Sequence, residues 1–370
     1  MLHKKISLVF IALFLCSISF SQILTTIADG GNKKASVSER IGITDVTIHY
    51  DRPAVKGREG RIWGQLVHKG FADLQFGSSK AAPWRAGANE NTTISFSTDV
   101  LFEGVQLNAG TYGLFMAMGD GDATIILSNN STSWGSFFYN PDEDALRVSV
   151  KTEPLQESVE RLKFEFTDQT ENTARVALLW EKLMIPFTIE VNYVKTQIES
   201  FRRELRNEKG FQWQAWVEAV KFCVQHNTNL EEALQWADNA INAVFVGQKN
   251  FTTLNAKASI LNRMGRNAEA DAVMKEALPF ATMQELHNYA RQLLKDKKTA
   301  LALEIFKLNA QKNPNQFTTN AGLMRGYSAS GDYKNALKSA KAALTMAPDK
   351  PNRDAIEKYI KMLEEGKDIN

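Results

Sequence analysis

The chain has 370 residues, of which 44 are basic and 42 acidic, and its formal charge is +2. That length accommodates two or three domains, each large enough to bury its own core. The near balance of charge gives no reason to expect nucleic acid or an anionic membrane surface as the main partner.

The N-terminus reads Met1-Leu2-His3-Lys4-Lys5, followed by an apolar run from Ile6 to Phe20, with Ser19 and Ser21 in the small-residue positions ahead of Gln22. This pattern predicts a signal peptide over 1–21, cleaved after Ser21, and so an exported protein, periplasmic or secreted. A retained membrane anchor is the alternative, on a run short for spanning a bilayer. Leu15 stands before Cys16, where lipidation wants a small residue. Cleavage removes Lys4 and Lys5 and brings the basic residues level with the 42 acidic ones. It also removes Cys16 and leaves Cys223 alone, so no intramolecular disulfide is expected. No later apolar run reaches membrane-spanning length.

From Gln22 to Thr196 there are 15 glycines and 5 prolines, and apolar residues alternate over short runs. Val46, Ile48 and Tyr50 form one such run; Ile94 and Phe96 a second; Leu162, Phe164 and Phe166 a third; Ala174, Val176, Leu178 and Trp180 a fourth. A period of two means strands with one buried face. Gly119-Asp120-Gly121-Asp122 and Ser128-Asn129-Asn130-Ser131 read as hairpin turns. Eight or nine such strands predict an antiparallel β-sandwich or barrel over 22–192. Segments near Arg58 to Phe71 and Pro141 to Ala145 read as loops or single helical turns.

Near Tyr193 the period changes to 3.6. Ile198, Phe201 and Leu205 share one face and Glu199, Arg202, Arg203 and Glu204 the other, which predicts a linker helix over 193–210. Beyond it, four segments align on Ala233, Ala270, Ala302 and Ala336, spaced 37, 32 and 34 residues apart. A spacing near 34 is the tetratricopeptide period. Gly265 and Gly331 fall five residues before their alanines, where two paired helices must turn, and Pro314 and Pro348 fall twelve after, where a helix must stop. The chain over 211–370 is therefore expected to be an α-helical tetratricopeptide-like repeat array, giving a multi-domain β plus α protein.

Three groups of residues carry a resemblance: Tyr50-Asp51-Arg52-Pro53-Ala54-Val55-Lys56-Gly57-Arg58; Pro83-Trp84-Arg85-Ala86-Gly87-Ala88-Asn89-Glu90-Asn91-Thr92-Thr93; and Ala109-Gly110-Thr111-Tyr112 with Ser133-Trp134-Gly135. Over roughly 30–192 the chain resembles domain-of-unknown-function family 2911, a group of exported bacterial proteins. The resemblance implies the β fold and export, and brings no established activity with it. The chain departs from the family pattern by extra residues between Gln65 and Pro83, including Phe71 to Lys80.

In these segments Arg52, Lys56, Arg58, Trp84, Arg85, Asn89, Glu90 and Thr92 make a candidate ligand site. Guanidinium forks suit carboxylates and phosphates, and Asn plus Glu beside an indole suits a sugar or a polar metabolite. The competing reading is structural, with Arg85 paired to Glu90 or Glu90 to Arg52 to pin loops over the sandwich. Glu90 as a general base lacks a partner carboxylate by spacing. The five histidines do not cluster, so a metal site is not expected; His49 lies in a strand three residues before Arg52. No nucleophile elbow, phosphate loop, dinucleotide fingerprint or zinc-protease motif is present, and no cofactor is expected. Asp120 and Asp122 lack the remaining ligands of a calcium loop. Cys223, and Trp213 with Trp216 and Trp236, read as core.

In the repeats, counting back from the aligned alanines places Asn255, Asn262, Arg263, His287, Arg291 and Arg325 toward a concave groove. Asparagines clamp an extended peptide backbone and arginines hold acidic groups on it. The expected function is an exported envelope binding or scaffold protein. Its β module takes a small polar or glycan-like ligand or a partner, and its repeats bind a protein. The alternative is an exported enzyme, a hydrolase, at Arg52, Arg58, Arg85, Asn89 and Glu90.

Overall fold

The computed structural model describes residues 31–370, so the signal-peptide reading of 1–21 lies outside the described residues. The described residues divide into two compact units, parting between Thr196 and Gln197.

The first unit is antiparallel. Its larger sheet has the order β1 (Lys33–Ile41), β2 (Thr44–Arg52), β3 (Thr93–Phe96), β6 (Gly110–Met118), β7 (Asp122–Ser128) and β8 (Asp144–Lys151). The smaller has the order β5 (Val105–Leu107), β4 (Val100–Phe102), β10 (Thr173–Glu190) and β9 (Glu153–Thr167). Ile48, Ile94 and Leu114 from the first sheet share one core with Phe164, Val176 and Phe187 from the second. Two open sheets over one core form the sandwich-like of the two expected arrangements.

Alternation holds in β2, where Val46, Ile48 and Tyr50 are buried while Asp45 and His49 are exposed. It fails in β6, which is buried from Tyr112 to Met118. Phe115 and Ile126 face away from the main core and form a separate cluster with Tyr139. Tyr139 comes from the connection between β7 and β8, which is not the tight hairpin expected at Ser128–Ser131. It runs to Asp144 through a single helical turn at Pro141–Glu143, and its Tyr139 covers the outer face of β6 and β7.

Forty residues between β2 and β3 form no strand, only isolated bridges. Backbone bonds of 2.8 Å in both directions between Trp84 and Met116 stitch this excursion to β6, as does Gly70 N–H on the Met118 carbonyl at 2.8 Å. On the other sheet, β10 shifts register between Leu179 and Glu181 and again before Leu183. At that bulge buried Glu181 accepts from the Gly60 amide at 3.1 Å and from the Lys182 amide at 2.9 Å. The excursion is thus anchored to both sheets.

The second unit is helical. After α1 (Tyr193–Glu204) come the antiparallel pairs α2 (Trp213–His226) with α3 (Leu230–Asn242), α4 (Phe251–Arg263) with α5 (Asn267–Ala277), α6 (Met283–Lys295) with α7 (Thr299–Lys312), and α8 (Phe317–Ala329) with α9 (Tyr333–Thr345). The helix α10 (Lys350–Glu364) packs on α9. The expected linker helix is shorter than 193–210 and is followed by a single turn at Glu208–Phe211. Ala233, Ala270, Ala302 and Ala336 are all fully buried, as close helix pairing requires. The turn ahead of each alanine uses a left-handed residue: Asn229 at φ 52°, Gly265 at 78°, Lys297 at 59° and Gly331 at 77°. The irregular turns thus keep the geometry without glycine. Trp236 and Cys223 are core, and burial pushes the Cys223 thiol up to about 11. No helix among the described residues is long and apolar enough to cross a membrane.

Candidate functional site

The eight residues expected to form one ligand site in the β unit do not converge on one place. Arg58, Trp84, Arg85 and Asn89 line a cavity of about 340 Å³. Glu90 lines a different one, about 280 Å³, with His49, Lys34 and Asp51. Glu90 is ion-paired with Lys34, which also lies 3.7 Å from Asp51, and the Glu90 side chain is 52% exposed. The competing pairing of Glu90 with Arg85 or Arg52 is absent: Arg85 and Glu90 line different cavities, and the residue before Glu90, Asn89, is left-handed at φ 51°.

Arg52 lines neither cavity; its Nε donates to the Leu162 carbonyl at 2.8 Å and fastens β2 to β9. Thr92 is fully buried and donates to the Ala86 carbonyl at 3.2 Å. Lys56 occupies a left-handed turn at φ 52°, and its amide reaches Glu160 at 3.1 Å. These three build the loops that hold the cavity.

The cavity floor is aromatic. Trp84 and Trp180 stack at 17° with centroids 6.1 Å apart, and Trp63 meets Trp84 edge-on at 5.6 Å. Trp84 Nε1 donates to the Gly87 carbonyl at 3.1 Å, fixing the ring beneath the loop. Two buried ring nitrogens on the cavity wall, Trp180 Nε1 and His68 Nδ1, have no hydrogen-bond partner. Arg58 donates to the Val55 and Ala54 carbonyls at 2.9 and 2.6 Å, which closes its own loop.

Arg85 is half-buried. Its Nη1 donates to the Asn89 carbonyl at 2.7 Å, and its guanidinium lies 5.0 Å from the Phe137 ring centre. Burial pushes its pKa below the usual arginine value, and no carboxylate acts on it; it stays cationic all the same. Asn89 Oδ1 accepts from Asn32 at 3.1 Å.

Asn32, His68, Ser136 and Trp180 also line the cavity, and residue patterns did not single them out. Trp180 reads as one more buried residue of an alternating strand, and His68 lacks a neighbouring histidine. The extra Phe71–Lys80 segment contributes Leu74 to the wall. Its Phe76 is 61% exposed, with ring centres 5.2 Å from Phe137 and 6.0 Å from Phe138.

In the helical unit Asn255 and Asn262 line a cleft of about 390 Å³, together with Asn288, Gln292, Tyr289 and Asp271. Arg263, His287, Arg291 and Arg325 do not line it. The cleft is therefore rich in amides with carboxylates nearby, rather than basic. His287 is buried against Phe306, with ring centres 5.7 Å apart. Burial first, then the charges of Arg291 and Arg325, push its pKa down to about 4. Arg325 is held by Tyr359, donating to its hydroxyl at 3.1 Å and lying 5.0 Å from its ring centre. Counting back from the alanines finds the right helices but not the side of each helix that the next repeat covers. Among the described residues, no group of three or more His, Cys, Asp or Glu is placed to hold a metal ion.

Residues 32–189 match a family described as Protein of unknown function (DUF2911). No curated protein matches the chain. Several solved structures are similar over the helical part. The C-terminal part of a TPR repeat-containing protein from Cytophaga hutchinsonii is 13% identical, over 47% of this chain and 67% of that one, with a TM-score of 0.34. A tetratricopeptide repeat protein from Parabacteroides merdae is 14% identical, over 47% and 70%, with a TM-score of 0.31. YrrB, a TPR protein with an unusual peptide-binding site, is 15% identical, over 45% and 84%, with a TM-score of 0.29.

Proposed function

We propose, for a chain whose β unit matches a family of unknown function, an exported binding and scaffold role. The cavity beside Trp84 and Trp180 takes a small ligand, and the helical repeats engage an extended segment of a partner protein. The observation that carries this reading is the separation of Glu90 from Arg85. A hydrolase at these loops needs a desolvated, unpaired carboxylate facing the same space as the polar groups that bind substrate. Glu90 is exposed, tied to Lys34 and lines another cavity. What the principal cavity does have is an aromatic floor with polar groups at its edge, the common make-up of a binding pocket.

For the repeats, the supporting feature is the amide-lined cleft, in which the Asn255 and Asn262 side chains face polar space and suit peptide backbone groups. Export is supported by the pattern of residues 1–21. The test is threefold. Cell fractionation with N-terminal sequencing is expected to find the chain outside the cytoplasm and starting at Gln22. A thermal-shift screen of metabolites on the full chain is expected to yield ligands that raise the melting temperature. Capture of envelope proteins is expected to weaken on Asn255→Ala with Asn262→Ala. A cytoplasmic, unprocessed chain refutes export. A silent screen refutes the ligand, and unchanged capture refutes the cleft as the partner site.

A further inference from the structure

We infer that the cavity of the β unit binds a small organic anion, with its carboxylate or phosphate held by Arg85 and its apolar body laid on Trp84 and Trp180. This rests on the ligand-binding reading above and names the chemistry of the ligand.

Charge is the first argument. Two guanidinium groups, Arg58 and Arg85, stand in the cavity wall, and no Asp or Glu does. Arg58 is occupied with loop carbonyls. Arg85 gives one bond to the Asn89 carbonyl and meets no carboxylate. A half-buried cation lacking a counter-charge is costly, and an anion in the cavity removes that cost with a two-pronged bond that arginine is shaped to make.

Arg85 is also held in place rather than left to swing. The Asn89 carbonyl fixes one prong, Phe137 covers the cation's face, and Gly135 lies directly beneath the guanidinium. Such a fixed fork is the preorganisation that binding sites use.

The space, about 340 Å³, sits at the lower end for ligand pockets and excludes large ligands. Leu66, Val67 and Leu74 add apolar surface to the same wall. A fully hydrophilic anion would leave these surfaces unused.

The experiment is calorimetric titration of the full chain with phenylacetate, phenyl phosphate and the uncharged 2-phenylethanol, in the wild type and in Arg85→Met. At least one anion is expected to bind tenfold or more tightly than 2-phenylethanol, and to weaken tenfold or more in Arg85→Met. Preference for one anion identifies the headgroup. Should Arg85→Met not fold, judged by circular dichroism, Arg85→Lys takes its place and is expected to weaken the anion several-fold, because it keeps the charge and loses the fork. If 2-phenylethanol binds as well as the anions, or anion binding ignores the substitution, the inference is overturned while the ligand site stands. If none of the three binds, the inference is overturned, and the metabolite screen above separately decides the ligand reading.

Discussion

Gly135 and Arg85 are in such close contact that a Cβ built on the glycine would lie 2.3 Å from Arg85 Cζ and 2.4 Å from Nη1. The backbone at Gly135 is also left-handed, at φ 64°. The left-handed backbone favours glycine there, and a side chain would displace the guanidinium.

Gly135→Ala is therefore expected to cost about 1–2 kcal/mol of stability through the backbone and, beyond that, to push the guanidinium off its seat. Gly121→Ala is the control: its φ is 86° but nothing lies within 4 Å of the added atom. Urea denaturation should show a loss for both, and anion titration a weakened affinity for Gly135→Ala alone.

Lys297 occupies the left-handed turn position that Gly265 and Gly331 fill in the neighbouring hairpins. Lysine carries a Cβ penalty there that glycine does not, so Lys297→Gly should stabilise the chain by about 1 kcal/mol. Chemical denaturation measures this directly; an unchanged or lowered midpoint contradicts it.

His287 links stability to pH. Its folded pKa is pushed down to about 4 by burial and by Arg291 and Arg325, from an ordinary value of 6.5. As pH falls the unfolded chain takes up the proton first. The stabilisation is thus complete above about pH 6.5, is lost progressively down to about pH 4, and changes no further below. Wild type should lose about 3 kcal/mol more than His287→Gln across that window, read from denaturation midpoints at several pH values.

The α7–α8 packing turns on two glycines of α8. A Cβ at Gly322 would approach Phe306 Cδ1 to 2.5 Å, and one at Gly326 would approach Cδ2 to 2.8 Å. Gly322→Ala gains about 1 kcal/mol of helix propensity but overpacks a ring that is 1% exposed, at about 1–3 kcal/mol. A net loss is expected. Combining it with Phe306→Leu should cost less than the sum of the two single changes, and strict additivity in that cycle would argue against the contact.

Hydrophobic period alone determined the division of this chain. Alternation at Val46–Tyr50 reports one-sided burial within a few residues, whereas Ala174–Trp180 is buried on both faces from Val176 onward. The buried alanines near a 34-residue period report helix pairing, which is likewise local. The loops bearing Trp84, Arg85 and Asn89 were legible because they pair special residue types with glycine-rich turns. Only the tertiary structure decided which of those side chains share a space. Arg85 and Glu90 line different cavities, and Trp180, nearly a hundred residues further on, comes to lie against Trp84. It also put His287 inside the helix stack instead of in a groove. Those outcomes depend on long-range packing of an irregular forty-residue excursion, and of one repeat on the next, to which no local periodicity responds.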